Sequence, residues 1–299
     1  MATVTHRWGM VLDRPRSLYT AESYYAEVTD GIEEVLRGSA VILFLHQVSS
    51  MEEEVATYER WARERFVDGV IIVDLLDDDP RPALLERLGL RTLYAGADTP
   101  PSGASALTSE NAEWTRSVLT PLVQAGHRRI ARVSGPARLA HTRVRSDAAR
   151  SFAIEHDVEL TTLEGDYSAA SGREATLALL QRDPRPTAII YDNDAMVLAG
   201  IATAREMGVS VPEQLSVAVW DDSLSCRLAH PPVAALTDNS HELGRLIAQA
   251  LLRMDDGEAP VRLPHPQRQW LARASVAPVG AAVRTALSAS PSRGADRPR

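Results

Sequence analysis

Polar side chains sit just past the ends of apolar runs at several points of this 299-residue sequence, and they are of the types that could grip a small polar molecule. Asn193 and Asp194 follow the run 187–191, and Asp221 and Asp222 follow 215–220. Arg145 stands a few residues beyond Ser134, Gly135 and Pro136, and Tyr167 lies past the run 158–163. Toward a polyhydroxylated ring, a guanidinium offers a fork of donors, a carboxylate accepts, an amide does both, and an aromatic face covers the apolar side. Each residue also has a plainer reading. Asp194 caps the helix that begins there, Arg145 pairs with Asp147 or Asp221 at the surface, Tyr167 is a half-buried aromatic, and Asp222 is structural. Motifs for reaction chemistry are missing: there is no Gly-x-x-x-x-Gly-Lys-Ser/Thr, no Gly-x-Ser-x-Gly, no His-Glu-x-x-His, and no Gly-x-Gly-x-x-Gly after the first run. His127 and His141 lack metal-site spacing and read as surface or capping residues. Asp77, Asp78 and Asp79 beside Pro80 read as a solvated loop. These residues imply no catalysis, no cofactor and no metal.

The elements that must carry these side chains follow from periodicity. Runs rich in Val, Ile and Leu at 8–12, 40–46, 69–75, 90–94, 129–133, 158–163, 187–191 and 215–220 are too short for helices and suit strands buried on both faces. Amphipathic stretches at 21–36, 51–66, 111–125, 144–156, 169–181, 194–207 and 241–254 alternate with them. Such alternation predicts parallel sheets with right-handed crossovers and helices on both faces, and the length predicts two lobes. The expected linkers are 98–105 and 236–240, and residues 280–299, made of Ala, Ser, Pro and Arg with little periodicity, are expected to be a disordered tail.

Composition narrows the function class. Thirty-two basic residues, all arginine, against 40 acidic ones give a net charge of −8, so the chain as a whole does not attract phosphate. The one cysteine, Cys226, excludes a disulfide framework and Cys-based zinc sites. No run approaches the roughly 18 apolar residues of a membrane span, and the first residues lack a secretory core, so a cytoplasmic protein is expected.

Several stretches together resemble the ligand-binding core of the LacI/GalR family of bacterial transcription regulators, over roughly residues 7–277. They are GHRRIARVSGP (126–136), HTRVRSDAA (141–149), GDYSAASG (165–172), the long stretch 186–222 ending in VAVWDD, PPVAALTDNSHELGRLIAQALL (231–252) and QWLARAS (269–275). The resemblance implies an α/β fold of two doubly wound parallel-sheet lobes, periplasmic-binding-protein-like, with a ligand cleft between them. It implies a first lobe of 7–108 plus 238–258 and a second of 109–237 plus 259–277. Arg145 falls on the family's ligand-binding arginine. Tyr24 and Tyr25 resemble its aromatic pair in the other lobe, one facing ligand and one packing. Asp221, Asn193 and Tyr167 complete the expected set. Trp114 stands where the family has a small residue, so it is expected to fill part of the pocket. A further departure is Val219 in place of glycine.

The family resemblance also implies a homodimer, through helices flanking the sheets, that responds to a small-molecule effector, most simply a sugar. Members carry a helix-turn-helix headpiece ahead of the core, and this sequence reaches its first core strand by Trp8, so no DNA-reading element is expected within it. A trimmed sequence, a start assigned too late and a headless sensor all fit. The competing classes are a bilobed sugar-binding protein of transport or chemotaxis, which needs a signal peptide, and an enzyme, which needs a nucleophile and base or a cofactor loop.

Overall fold

The computed structural model describes residues 6–13 and 23–280. From residue 281 on, the expected tail lies outside the described residues. The chain builds two six-stranded sheets. The first holds β1 (His6–Asp13), β2 (Val41–Val48), β3 (Gly69–Ile72), β4 (Arg91–Ala97), β5 (Ser105–Thr108) and β11 (Arg262–Pro264). Their spatial order is β11-β5-β4-β3-β1-β2, and every pair is parallel. The second holds β6 (Arg129–Ser134), β7 (Glu159–Glu164), β8 (Ala188–Tyr191), β9 (Ser216–Val219), β10 (Ala234–Leu236) and β12 (Trp270–Leu271). Its order is β12-β10-β9-β8-β6-β7, with only the β10–β12 pair antiparallel. This is the expected two-lobed architecture.

Burial on both faces explains why the strands read as unbroken apolar runs. In the first sheet, Trp8, Met10, Leu12 and Ile71 pack to one side against α1 (Ser23–Leu36) and α9 (Ser240–Asp255). Val11, Val70 and Ile72 pack to the other side, against α2 (Met51–Arg63) and α3 (Arg81–Leu88). The two-residue side-chain period of a strand sends alternate residues to opposite cores. The helices α1 and α9 approach closely because each presents a glycine: a Cβ on Gly31 would meet the His241 carbonyl oxygen, and one on Gly244 the Val28 carbonyl oxygen, each at 2.0 Å. That contact anchors α9 to the first lobe although β10, which precedes it in sequence, belongs to the second.

The second sheet is sandwiched in the same way. Val133, Ile189, Tyr191 and Val217 face α6 (Ala169–Leu180) and α7 (Asp194–Glu206). Ile130, Ile190 and Trp220 face α4 (Asn111–Gln124) and α5 (Ala140–Glu155). A short helix, α8 (Leu224–Leu228), follows β9.

Two boundaries differ from expectation. Residues 98–105 do not link the lobes, because β5 returns to the first sheet beside β4, and the chain crosses only at 109–110. The first three residues of the four-residue β5 are buried between its neighbours, so it needs no long apolar run of its own. The stretch 259–264, expected in the second lobe, extends the first sheet through β11, which pairs with β5. The chain therefore passes between the lobes three times, at 109–110, 237–239 and 265–269. Helix α3 also replaces part of the expected solvated loop after Asp79; it starts at a proline turn and ends at Gly89, whose φ of 69° suits glycine.

Candidate functional site

At the carboxyl ends of both sets of strands, the place where open parallel sheets bind ligands, lies a cavity of about 450 Å³. Tyr24, Tyr25, Trp114, Arg145, Tyr167, Asn193 and Asp221 all line it. The structure thus brings the whole predicted set to one wall system, although they occupy different tasks there.

The second-lobe wall is built on a buried ion pair. Arg132 of β6 donates to Asp192, just past β8, through Nε at 2.8 Å and Nη2 at 2.5 Å, and both side chains are essentially enclosed. Burial alone would push the Asp192 carboxyl up; Arg132, with Arg145 and the Gly135 amide, outweighs it and holds the group below its ordinary range. Arg145, in the second turn of α5, then stacks on Trp220 with Cζ 3.7 Å from the ring centre. Its Nε donates to Asn111 Oδ1 at 2.8 Å, and Nη1 lies 3.8 Å from Asp192. Asn111 is fixed in turn by Asp98, which accepts from its backbone amide at 2.8 Å and its Nδ2 at 2.7 Å. The alternative pairing of Arg145 with Asp147 or Asp221 does not occur; Asp147 pairs with Arg143 and Arg150.

Tyr167 adopts a φ of 69° and lays its ring over Gly135, where a Cβ would stand 2.1 Å from the phenol oxygen, so any side chain at this position would displace the ring from the cavity wall. Its hydroxyl meets His141 Nε2 at 3.0 Å. His141 is therefore a cavity residue rather than a surface cap, and His127 is buried between Thr187 and the Ala277 carbonyl. Asn193 spends both ends of its amide on the fold. Oδ1 caps α7 by accepting from the Met196 amide at 3.0 Å, and Nδ2 donates to the Tyr167 carbonyl at 2.8 Å. The cap expected at Asp194 is thus made one residue earlier, and Asn193 acts on the wall chiefly by holding Tyr167.

Asp221, past β9, accepts from Arg268 Nη2 at 2.7 Å, whereas Asp222 turns away into a two-point pair with Arg273. Trp114 is buried in the first turn of α4 beside His265, with ring centres 4.8 Å apart. It forms wall and leaves the cavity open. Burial lowers His265 to about 4.

The first-lobe wall is looser. Tyr25 packs in the core and Tyr24 stands half-buried against it, edge to face at 5.2 Å, and both border the cavity. Burial and then the Asp221 carboxylate raise the Tyr24 phenol above its ordinary value. Asp79 is no solvated residue: with Arg81 and Glu54 it forms a buried cluster, Arg81 Nη2 to Asp79 at 2.7 Å and Nη1 to Glu54 at 2.9 Å. Asp77 reaches across the cleft to Arg143 at 2.5 Å. Beside it, the Ala140 amide donates to the Leu75 carbonyl at 2.8 Å, so the lobes touch opposite the crossings. Sequence reasoning did not single out Asp192, Asn111, His265 or Arg268. Among the described residues, no group of acidic, His or Cys side chains is arranged to hold a metal.

A family model described as a periplasmic binding protein-like domain matches residues 119–276. The HTH-type transcriptional regulator CelR of Thermobifida fusca is 31% identical over 253 residues, 81% of this chain and 73% of that protein. The chain belongs to the LacI family of transcriptional regulators. Among solved LacI-family structures, a regulator from Bifidobacterium animalis subsp. lactis superimposes with a TM-score of 0.83 at 36% identity, covering 91% of this chain and 98% of that one. A complex of CelR with cellobiose gives 0.82 at 28% identity, covering 91% and 85%. LacI-family regulators are thus similar to this chain in sequence and in fold, and no helix among its described residues is long and apolar enough to cross a membrane.

Proposed function

We propose that this chain is the effector-sensing core of a LacI-family regulator, taking an uncharged sugar into the cleft and passing lobe closure to a partner copy. The observation that carries the reading is the single cavity in which Arg145, Asp221, Tyr167 and Tyr24 converge. Its volume of about 450 Å³ lies within the usual range for small-molecule sites. Arg145 is already oriented by Asn111 and Trp220, so little side-chain freedom is lost on binding. The cellobiose bound by CelR supports a sugar as ligand class.

Closure acts as a population shift: a ligand that touches both walls stabilises the closed lobes by its differential affinity for them. A homodimer transmits that shift, and the exposed Leu224 and Leu228 of α8, 62% and 67% accessible, support an apolar contact at that corner. DNA reading in this scheme belongs to an element other than the described residues, and the setting is the cytoplasm. The named relatives are regulators, which favours sensing over catalysis. A thermal-shift screen of sugars, polyols and nucleosides tests the reading: a stabilising sugar is expected, and a nucleoside as the one stabilising class overturns it.

A further inference from the structure

Arg268 lies in the 265–269 crossing, and its side chain is 4% exposed. Its Nε donates to the Thr237 carbonyl at 3.1 Å, in the 237–239 crossing. Its Nη2 donates to the Trp220 carbonyl at 3.0 Å and to Asp221 Oδ1 at 2.7 Å, at the end of β9. Its Cζ is 5.8 Å from the ring centre of Trp114, which opens α4 directly after the 109–110 crossing. One guanidinium therefore touches or abuts every passage of chain between the lobes. The crossings are also tied to one another beside it. Thr237 and Gln269 exchange hydrogen bonds, Asn239 donates to the Gln267 carbonyl at 2.6 Å, and Gln267 donates to Glu110 at 2.9 Å.

Asp221 is held by one oxygen only. Its Oδ2 makes no hydrogen bond among the described residues, and the side chain remains 21% exposed on the cavity wall. We infer that Arg268 is the positioning residue of the effector site: it fixes Asp221 with a free oxygen toward the cavity and couples that carboxylate to the crossings on which the lobes turn. A planar fork is needed for this, since a lysine ammonium cannot reach the Thr237 and Trp220 carbonyls and Asp221 in the same geometry. A group that takes hold of the free oxygen is thereby linked through Asp221 and Arg268 to the crossings, which gives the ligand a direct way to bias closure. The ligand half of this inference rests on the effector reading above; the hinge half does not.

The experiment is hydrogen exchange on the unliganded chain, comparing wild type, Arg268→Lys, Asp221→Asn and the double variant, followed by calorimetric titration with cellobiose. Exchange at Thr237 and Gln269 is expected to rise by about tenfold in each single variant, with no further rise in the double variant and no change at Ile189 and Ile190 in β8. Cellobiose affinity is expected to fall by about tenfold in Arg268→Lys, with the two single losses failing to add. A merely structural arginine would loosen the crossings while Asp221→Asn left them untouched, and that result overturns the inference, as do independent, additive effects. Asp221→Asn alone decides the hinge half if Arg268→Lys does not fold. Cellobiose binding to none of the proteins counts against the sugar reading, while the exchange arm still decides Arg268.

Discussion

The second-lobe wall of the cleft hangs from an ion pair, Arg132 with Asp192, whose side chains are 3% and 0% exposed, whereas the contact that closes the cleft on its far side, Arg143 with Asp77, is 54% and 39% exposed. The same chemistry does two jobs. Out of water, the pair fixes Arg145 and the Gly135 turn in one arrangement. In water, the other pair is weak enough to break whenever the lobes part. Position, more than residue type, separates scaffold from latch.

Removing one partner of the buried pair should have the largest effect. Arg132→Ala leaves Asp192 enclosed and uncompensated, and is expected to cost about 3 to 5 kcal/mol of stability by chemical denaturation. A loss under about 1 kcal/mol would place this pair with the surface latch. Next in size is Asp221→Ala, which leaves a bound hydroxyl unpaired and should lower affinity for the effector by about ten- to a hundredfold by calorimetry; it also removes the carboxylate that Arg268 holds, so Tm should fall as well.

A pH effect of intermediate size comes from the crossings. Burial and the neighbouring Asp221 raise Asp238 to about 6, so its contribution to stability is complete below its ordinary 3.8 and is lost as pH climbs through 6. His265, lowered from 6.5 to about 4 by burial, works the other way: its contribution is complete above 6.5 and disappears as pH falls through 4. Between about 4 and 6 the two offset each other. Asp238→Asn should therefore raise Tm at pH 7 and make Tm fall more steeply on acidification than in wild type; parallel curves would disprove the offset. The smallest effect belongs to the latch. Asp77→Ala should change stability by less than about 1 kcal/mol, and the difference should vanish at high salt, whereas that of Arg132→Ala persists.

Much of this was legible in the sequence because it depends on burial. Strands enclosed on both faces leave continuous apolar runs, and residues at their carboxyl ends are forced to the cleft rim, which is why Asp221, Asn193 and Tyr167 could be placed. Tyr24 and Tyr25 were pointed to by the family resemblance instead, and both border the cavity. What escaped were features set by tertiary contact. Strand β5 is a four-residue segment defined by its neighbours, and α3 was hidden behind Asp79 and Pro80, whose acidic appearance masks a buried cluster with Arg81 and Glu54. Arg268 and His265 lie in an irregular, proline-containing stretch with no period to read, and their importance arises only where three distant crossings meet. The capping role of Asn193 was misassigned by a single residue to Asp194, a shift that only backbone geometry reveals.

The most direct measurement is a calorimetric titration of cellobiose and related disaccharides into the purified chain, its Arg145→Ala variant and its Asp221→Ala variant. Saturable binding of a sugar to the wild-type protein, weakened at least about tenfold in each variant, is the predicted result. Binding that is undiminished in both variants, or no sugar bound at all, would contradict a sugar-sensing cleft.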